Sequence, residues 1–320
     1  MKAHQSFFAL LLVLILSNGC ASTKTTQNDA LIRITTTPTT ASQPKLRIAT
    51  VQYPIEGNQT LKTFLAKIER YVSEAHQRHA DLIVFPELIA LDAWPLASKE
   101  SDTLLARQIA EKITPEFFTF VKTLSKKYKV AILAGSAPRQ IEDKIRNTAL
   151  LAFADGRTIM QDKLFLTSWE RDVKWQAGER LEVFDTPWGR TAILICYDVE
   201  FPRISQALAR VAPELLLVPS MTESKSGLER VRWSAQARAV EHHAYVVVSG
   251  TVGSPTTSWN HFGQNLLLSP RDTEFAKAPI IGKRGEASIV HGVLDFEKLR
   301  KSRATTKFYP AKEQLLETAR

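Results

Sequence analysis

The chain has 320 residues, 44% of them hydrophobic, and carries a net charge of +9 from 42 lysines and arginines against 33 aspartates and glutamates. The basic excess is dispersed: KTLSKKYK ends a predicted helix, where cations favour the dipole, and GKRGE reads as a loop. With no basic stripe interleaved with aromatics, nucleic acid is excluded as an expected partner, and the two cysteines, Cys20 and Cys196, suggest no disulfide framework.

The N-terminus reads MKAHQSFFALLLVLILSNGCAST. Lys2, the uncharged run Phe7 to Leu16 and the small residues after it have the order of a secretory signal. The apolar run is too short to span a hydrocarbon core as a helix. Gly19-Cys20 resembles a bacterial lipoprotein cleavage site, although Ser17 stands where such sites usually carry Leu. Residues 1–20 are therefore expected to be an export leader, with Cys20 as the point of lipid attachment and of membrane anchoring, an uncleaved N-terminal anchor being the alternative. The expected location is the cell envelope, either periplasmic or lipid-anchored. Residues 21–44 are rich in Thr, Ser, Gln and Pro and are expected to be a disordered tether. About 275 residues follow, enough for one large α/β domain. No long apolar segment appears in them, so a soluble body is expected.

KLRIATVQY from Lys45 alternates as a strand, and Asn58 to His79 has helical spacing. ADLIVFPE is a short apolar run of the kind that fills a two-sided sheet. One helix near Thr103 to Lys127 precedes KVAILAGSAP, a second buried strand. Asn147 to Phe153 and Thr158 to Lys163 flank Asp155-Gly156, and LEVFDTP and TAILIC flank Trp188-Gly189, giving two predicted hairpins. The pattern then repeats. Phe201 to Val211 reads as a helix, PELLLVPS echoes ADLIVFPE, Leu228 to His242 reads as a helix, and AYVVVSGTVG echoes KVAILAGSAP. Two similar halves related by an internal two-fold are expected. QNLLLSP and ASIVHGVLDF supply late strands. The domain is taken as 45–300, and 301–320 as an extension with no core of its own. Helices alternating with apolar strands predict a layered mixed sheet, with chemistry where strands end at one edge.

Three ionisable residues sit just past apolar strands: Glu87 after LIVFP, Lys163 after TIMQD and Cys196 after TAILI. Individually, each has an ordinary reading: a loop carboxylate, a plain ion pair, a small buried hydrophobe. Together they meet the needs of thiol acyl transfer. A free thiol, with a reference pKa of about 8.5, is mostly protonated at neutral pH. A carboxylate in contact can take its proton, and an ammonium can hold the developing oxyanion. An exported protein that keeps an unpaired thiol also needs a reason for it, and nucleophilic catalysis is one.

FPE with Glu87, DK with Lys163 and CYDVEFPR with Cys196 resemble the Glu-Lys-Cys signature of the nitrilase, or carbon-nitrogen hydrolase, superfamily, over about Leu46 to Leu299. The resemblance implies a four-layer α-β-β-α sandwich that often dimerises through its helices, so a homodimer or higher homo-oligomer is expected. It implies Glu87 as general base, Lys163 as stabiliser of the tetrahedral intermediate and Cys196 as nucleophile, with backbone N–H groups near Tyr197 completing an oxyanion hole. Many members carry a second glutamate after the lysine, and Glu170 in LTSWERD fits that place. CYDVEFPR, PSMTES and RVRWSAQARAVE look closest to a branch of predicted amidohydrolases, some fused to an acetyltransferase domain for which this chain length leaves no room. Tyr197-Asp198 in place of Trp-Glu favours amides over nitriles. His242-His243 replaces an Asn-Gln-like pair found in relatives.

The expected activity is hydrolysis of a non-peptide C–N amide bond in a small molecule through a Cys196 thioester. Acyl transfer to an amine and a catalytically inactive envelope module are the alternatives. Tyr197, Asp198, Glu200 and Trp169 are expected to bind substrate, and Asp198, Glu200 and Glu170 hint at an amine-bearing ligand. Trp175, Trp188 and Trp259 are further candidates for pocket walls. Arg238 and Glu241 are expected to pair along one helix. His76 and His79 lack a third ligand, so no metal and no other cofactor is expected.

Overall fold

A computed structural model of the chain describes residues 31–35 and 43–317. The expected leader, with Cys20, lies outside the described residues. Strand β1 (Ile32–Thr35) comes first in the chain. A first unit contains β2 (Lys45–Pro54), α1 (Leu61–Gln77), β3 (Leu82–Val84), α2 (Asp102–Lys112), α3 (Thr114–Tyr128), β4 (Ala131–Ile141), β5 (Lys144–Ala152) and β6 (Thr158–Asp162). The short helix α4 (Ser168–Asp172) leads to a second unit. That unit contains β7 (Leu181–Asp185), β8 (Arg190–Ile193), α5 (Pro202–Ala209), β9 (Leu215–Ser220), α6 (Lys225–Glu241), β10 (Tyr245–Val252), β11 (Leu266–Leu268) and β12 (Ile280–Ile281). β13 (Ser288–Asp295), α7 (Phe296–Thr305) and α8 (Pro310–Glu317) follow.

The strands form two sheets of one topology. The first runs β13-β2-β3-β4-β5-β6 and the second β7-β8-β9-β10-β11-β12, each with three central parallel strands and antiparallel flanks. Two parallel pairs, Thr251 with Tyr53 and Val252 with Pro54, join the sheets at one corner. The internal two-fold read from the sequence is thus a match of topology: ADLIVFPE and PELLLVPS occupy β3 and β9, and the next pair of echoes occupies β4 and β10. Period-two alternation separates the layers. Leu46, Ile48, Leu82, Val84, Leu133 and Leu151 join one core with strands of the second sheet. Ala49, Val51, Ile83, Phe85, Ile132 and Leu150 face α1 and α3 in the other. Helices on one face of each of two stacked sheets make the α-β-β-α sandwich.

Three sequence expectations change. The single helix at Thr103 to Lys127 is two helices, because Pro115 in the first turn of α3 has no N–H with which to continue the ladder of α2. The stretch 21–44 is not wholly a tether, since β1 pairs in parallel with β7, Ile32 opposite Leu181 and Ile34 opposite Val183. There a short apolar alternation gains backbone partners at an open sheet edge. The boundary at 300 falls inside α7, which buries Phe296, Leu299 and Ser302. Arg303 of α7 donates to the carbonyls of His242, His243 and Ala212 at 3.0, 2.9 and 3.1 Å. Tyr309 and Ala311 are buried against Ala209. The composition of this tail looks coreless because polar side chains clamping backbone carbonyls do much of its docking.

Phe117 is fully buried, its ring 5.0 Å from Phe64 and 5.6 Å from Phe118. Phe117→Ala should cost about 3–5 kcal/mol in a denaturant titration, and a loss below about 1 kcal/mol would show that the α1–α3 layer is not the close-packed core described.

Candidate active site

The three motifs converge where β3, β6, β8 and β9 end. Glu87 follows β3 through Pro86, a turn that Gly135 makes feasible. Gly135 has φ +69°, and a Cβ there would lie 1.7 Å from the Pro86 carbonyl oxygen, so only glycine fits. Ser136 then fixes the turn, its Oγ accepting from Leu88 N at 3.1 Å and its own N–H donating to Pro86 O at 3.3 Å. Lys163 follows β6, its N–H donating to Asn147 O at 2.8 Å. Cys196 follows β8 with φ +49°, in the left-handed region. For a residue other than glycine that costs about 1–3 kcal/mol, and the surrounding bonds must hold it there.

Asp198 is the main brace of that turn. Its Oδ2 accepts from Ile195 N at 3.1 Å, and its Oδ1 accepts from Leu164 N and Phe165 N at 3.1 and 2.9 Å. One carboxylate therefore ties the nucleophile turn to the lysine loop. Burial raises Asp198 to about 7, against the pull of Lys163 and of those N–H donors. Asp198 is 1% exposed and does not line the cavity, so it holds the site together from behind and is not a substrate contact.

Lys163 and Glu87 are both 1% exposed. The ammonium lies between two carboxylates, 2.7 Å from Glu87 Oε1 and 2.8 Å from Glu170 Oε2. Burial alone would lower the lysine, but the Glu87 and Glu170 charges outweigh it and hold Lys163 above its ordinary value. The two carboxylates are pushed apart. Burial, with repulsion from Glu170, raises Glu87 despite Lys163. Burial acts upward on Glu170 as well, but Lys163, Asn147 and the Thr167 N–H at 2.8 Å bring it below its ordinary value. Glu170 is thus a fixed anion and Glu87 the carboxylate able to carry a proton.

Cys196 Sγ accepts from Ser220 Oγ at 3.3 Å and lies 3.5 Å from the Met221 carbonyl oxygen, to which its S–H donates. The thiol and the Glu87 carboxyl are close enough for each to act electrostatically on the other. Met221 N–H donates to Glu87 Oε2 at 2.8 Å, linking the end of β9 to that carboxylate. Burial and the Glu87 charge push the thiol well above the ordinary cysteine range, only partly offset by Lys163 and Ser220. At rest Cys196 is a neutral thiol.

Three contributors went unread in the sequence: Asn147, Ser220 and Met221. Asn147 Nδ2 donates to Glu87 Oε1 at 2.9 Å and to Glu170 Oε1 at 2.7 Å, bridging both acids. A fully buried amide in the middle of β5 is what marks it, and in KIRNTALLA, where Arg146 and Thr148 flank it, the sequence offers little signal. Ser220 and Met221 gave none, since a serine ending a strand and a backbone N–H look ordinary.

Glu87, Lys163, Glu170 and Cys196 open on a cavity of about 540 Å³. Tyr197, Glu200 and Trp169 also line it, as does Trp259. Trp175 and Trp188 do not. They are buried in the cores, Trp188 with its Nε1 donating to Gln43 at 3.1 Å. His242 and His243 are structural, their Nε2 atoms 2.8 Å from the hydroxyls of Ser205 and Ser302. Arg238 and Glu241 do pair.

Asn147→Ala removes one donor from each acid, and a hydrogen bond to a charged group is worth about 1.5–3 kcal/mol, or roughly 10–100-fold in kcat/KM. The same variant should move the acid limb of the pH profile upward. A kcat/KM and an acid limb both unchanged would show that the bridge does not tune the site.

A family model described as carbon-nitrogen hydrolase matches residues 47–279. The chain is 36% identical over 266 residues to the probable hydrolase YhcX of Bacillus subtilis, covering 81% of this chain and 51% of that protein. It thus spans about half the length of that relative. It is 24% identical over 271 residues to omega-amidase NIT2-B of Xenopus laevis, covering 81% of this chain and 92% of that protein. Among solved structures, Saccharomyces cerevisiae Nit3, a member of branch 10 of the nitrilase superfamily, is similar with a TM-score of 0.69 at 22% identity, covering 84% of this chain and 98% of that one. An amidase from Nesterenkonia sp. is similar with a TM-score of 0.66 at 21% identity, covering 82% and 96%. At such identities these two structures speak for the fold. The family match covers well over half of the sequence, and the chain accordingly belongs to the carbon-nitrogen hydrolase family.

Proposed function

We propose that this protein hydrolyses the C–N bond of a small amide through a thioester on Cys196. The observation that carries the reading is the buried cluster in which Glu87 contacts Lys163 at 2.7 Å and Met221 N–H at 2.8 Å beside the Cys196 thiol. As Sγ attacks the carbonyl carbon, its proton passes to Glu87. The Lys163 ammonium, with the backbone N–H of Tyr197, stabilises the negative oxygen that forms. The tetrahedral intermediate collapses when Glu87 returns that proton to the leaving nitrogen, which departs as ammonia or an amine. Water then enters, gives a proton to Glu87 and attacks the thioester. Collapse of this second intermediate expels Sγ, which regains its proton, and releases the carboxylic acid. Glu170 takes no proton in this cycle and keeps Lys163 charged and in place.

Exposing the purified protein to a panel of small primary amides and measuring the intact mass should reveal an acyl adduct on Cys196. Cys196→Ala should show neither adduct nor turnover while keeping its fold. Full turnover by that variant would sink the mechanism.

The pH dependence follows from the signs of the shifts. Glu87 must be ionised to accept the thiol proton, and its folded value lies above the ordinary 4.5. Activity should rise with pH through a midpoint above 4.5 and then level off. Because the thiol is raised above the ordinary cysteine range, no second rise should occur near pH 9. A kcat/KM that climbed with a midpoint at an ordinary thiol value would mean that preformed thiolate, not Glu87-assisted attack, is the reactive form.

A further inference from the structure

We infer that the amide substrate carries a cationic amino group, held where tryptophans and carboxylates line the cavity mouth. This deepens the amidase reading above and rests on it. Trp94, Trp169 and Trp259 all line the cavity, with ring centroids 6.2 Å apart for Trp94 and Trp169 and again 6.2 Å for Trp94 and Trp259. The rings of each pair meet at 60°. Two of the indoles are oriented by acids of the same wall: Trp169 Nε1 donates to Asp102 Oδ2 at 3.0 Å and Trp259 Nε1 to Glu223 Oε1 at 3.0 Å. Aromatic faces beside carboxylates form an environment that favours an alkylammonium, through the ring quadrupole and through charge.

The charge balance points the same way. Five carboxylates line the cavity against two cations, Lys163 and Arg230, in a chain whose net charge is +9. Both cations are engaged, Lys163 by Glu87 and Glu170 and Arg230 by Glu200 at 3.1 Å. Asp102 and Glu223 have indole partners and no cationic partner among the described residues. An anionic substrate would have to displace Glu200 from Arg230 and then sit among unpaired negative charges. A cation meets neither obstacle. The rim is also tied to the chemistry by chain proximity: Trp169 precedes Glu170, and Glu223 lies two residues after Met221, which donates to Glu87. Substrate charge is therefore read by the same loops that carry the catalytic contacts.

The test uses three series of primary amides with four- to six-carbon chains, ending in an amino group, a methyl group or a carboxylate. Binding to the Cys196→Ala protein is measured by calorimetry, and acylation of the unsubstituted protein by mass. The amino-terminated series should bind about tenfold or more tightly than its methyl isosteres, the carboxylate series more weakly than both. Added salt should shrink the amino-to-methyl ratio. Glu223→Gln and Trp259→Leu should each reduce that ratio severalfold. Equal binding of the three series, preference for the carboxylates, or a ratio untouched by both substitutions would overturn the inference. Failure of every amide to acylate Cys196 would instead sink the hydrolase reading, a separate outcome because the binding comparison does not depend on turnover.

Discussion

A single buried ammonium organises this molecule's chemistry. Lys163 is almost fully removed from water, and an isolated charge there would cost several kcal/mol. It stays charged because two carboxylates, one from the loop after β3 and one from α4, lie within 2.8 Å of it. Those carboxylates are in turn bridged by Asn147 and held by backbone N–H groups of Thr167 and Met221. The cluster is fully interlocked, so its members are costly to move and geometrically well defined. Such preorganisation suits a site that must meet charge developing on a substrate oxygen without rearranging.

The arrangement also divides labour between chemically identical groups. Glu87 and Glu170 both touch Lys163, yet Glu170 has the denser set of donors and is driven down while Glu87 is driven up. The thiol beside them is kept protonated by burial. A neutral thiol near a carboxylate of raised basicity is the pairing that general-base-assisted attack on a carbonyl requires. Asp198 contributes without touching substrate: by bonding the N–H groups of Ile195, Leu164 and Phe165 it fixes the distance between the sulfur's turn and the lysine's loop.

The doubled topology explains why the site lies where it does. The sheets share one strand order and meet at β2 and β10, so loops after β3 and β6 of one and β8 and β9 of the other face a common space. Each loop brings a member of the buried polar cluster together with part of the cavity wall. The charged cluster and the cavity lining are consequently assembled from the same few segments.

The sequence by itself determined most of the strands, both hairpins, the repeated halves and the choice of Glu87, Lys163, Glu170 and Cys196 as candidates, which the fold brings to one cavity. Period-two alternation and residue types at strand ends are local properties, legible without a fold. Local reading missed what depends on long-range partners. Ile32 to Thr35 became a strand only because Leu181 to Phe184 offered an edge, and α7 carried on past 300 because distant carbonyls receive Arg303. The role of Asp198 was misread for the same reason. Beside a nucleophile in sequence, a carboxylate looks like a substrate contact, and only the tertiary structure turned it inward onto backbone donors from two loops. Asn147, Ser220 and the Met221 N–H likewise acquired their parts from neighbours 23 to 134 positions away in the chain. Sequence spacing carries no information about such contacts, because hydrogen bonds of this kind are set by where whole strands end.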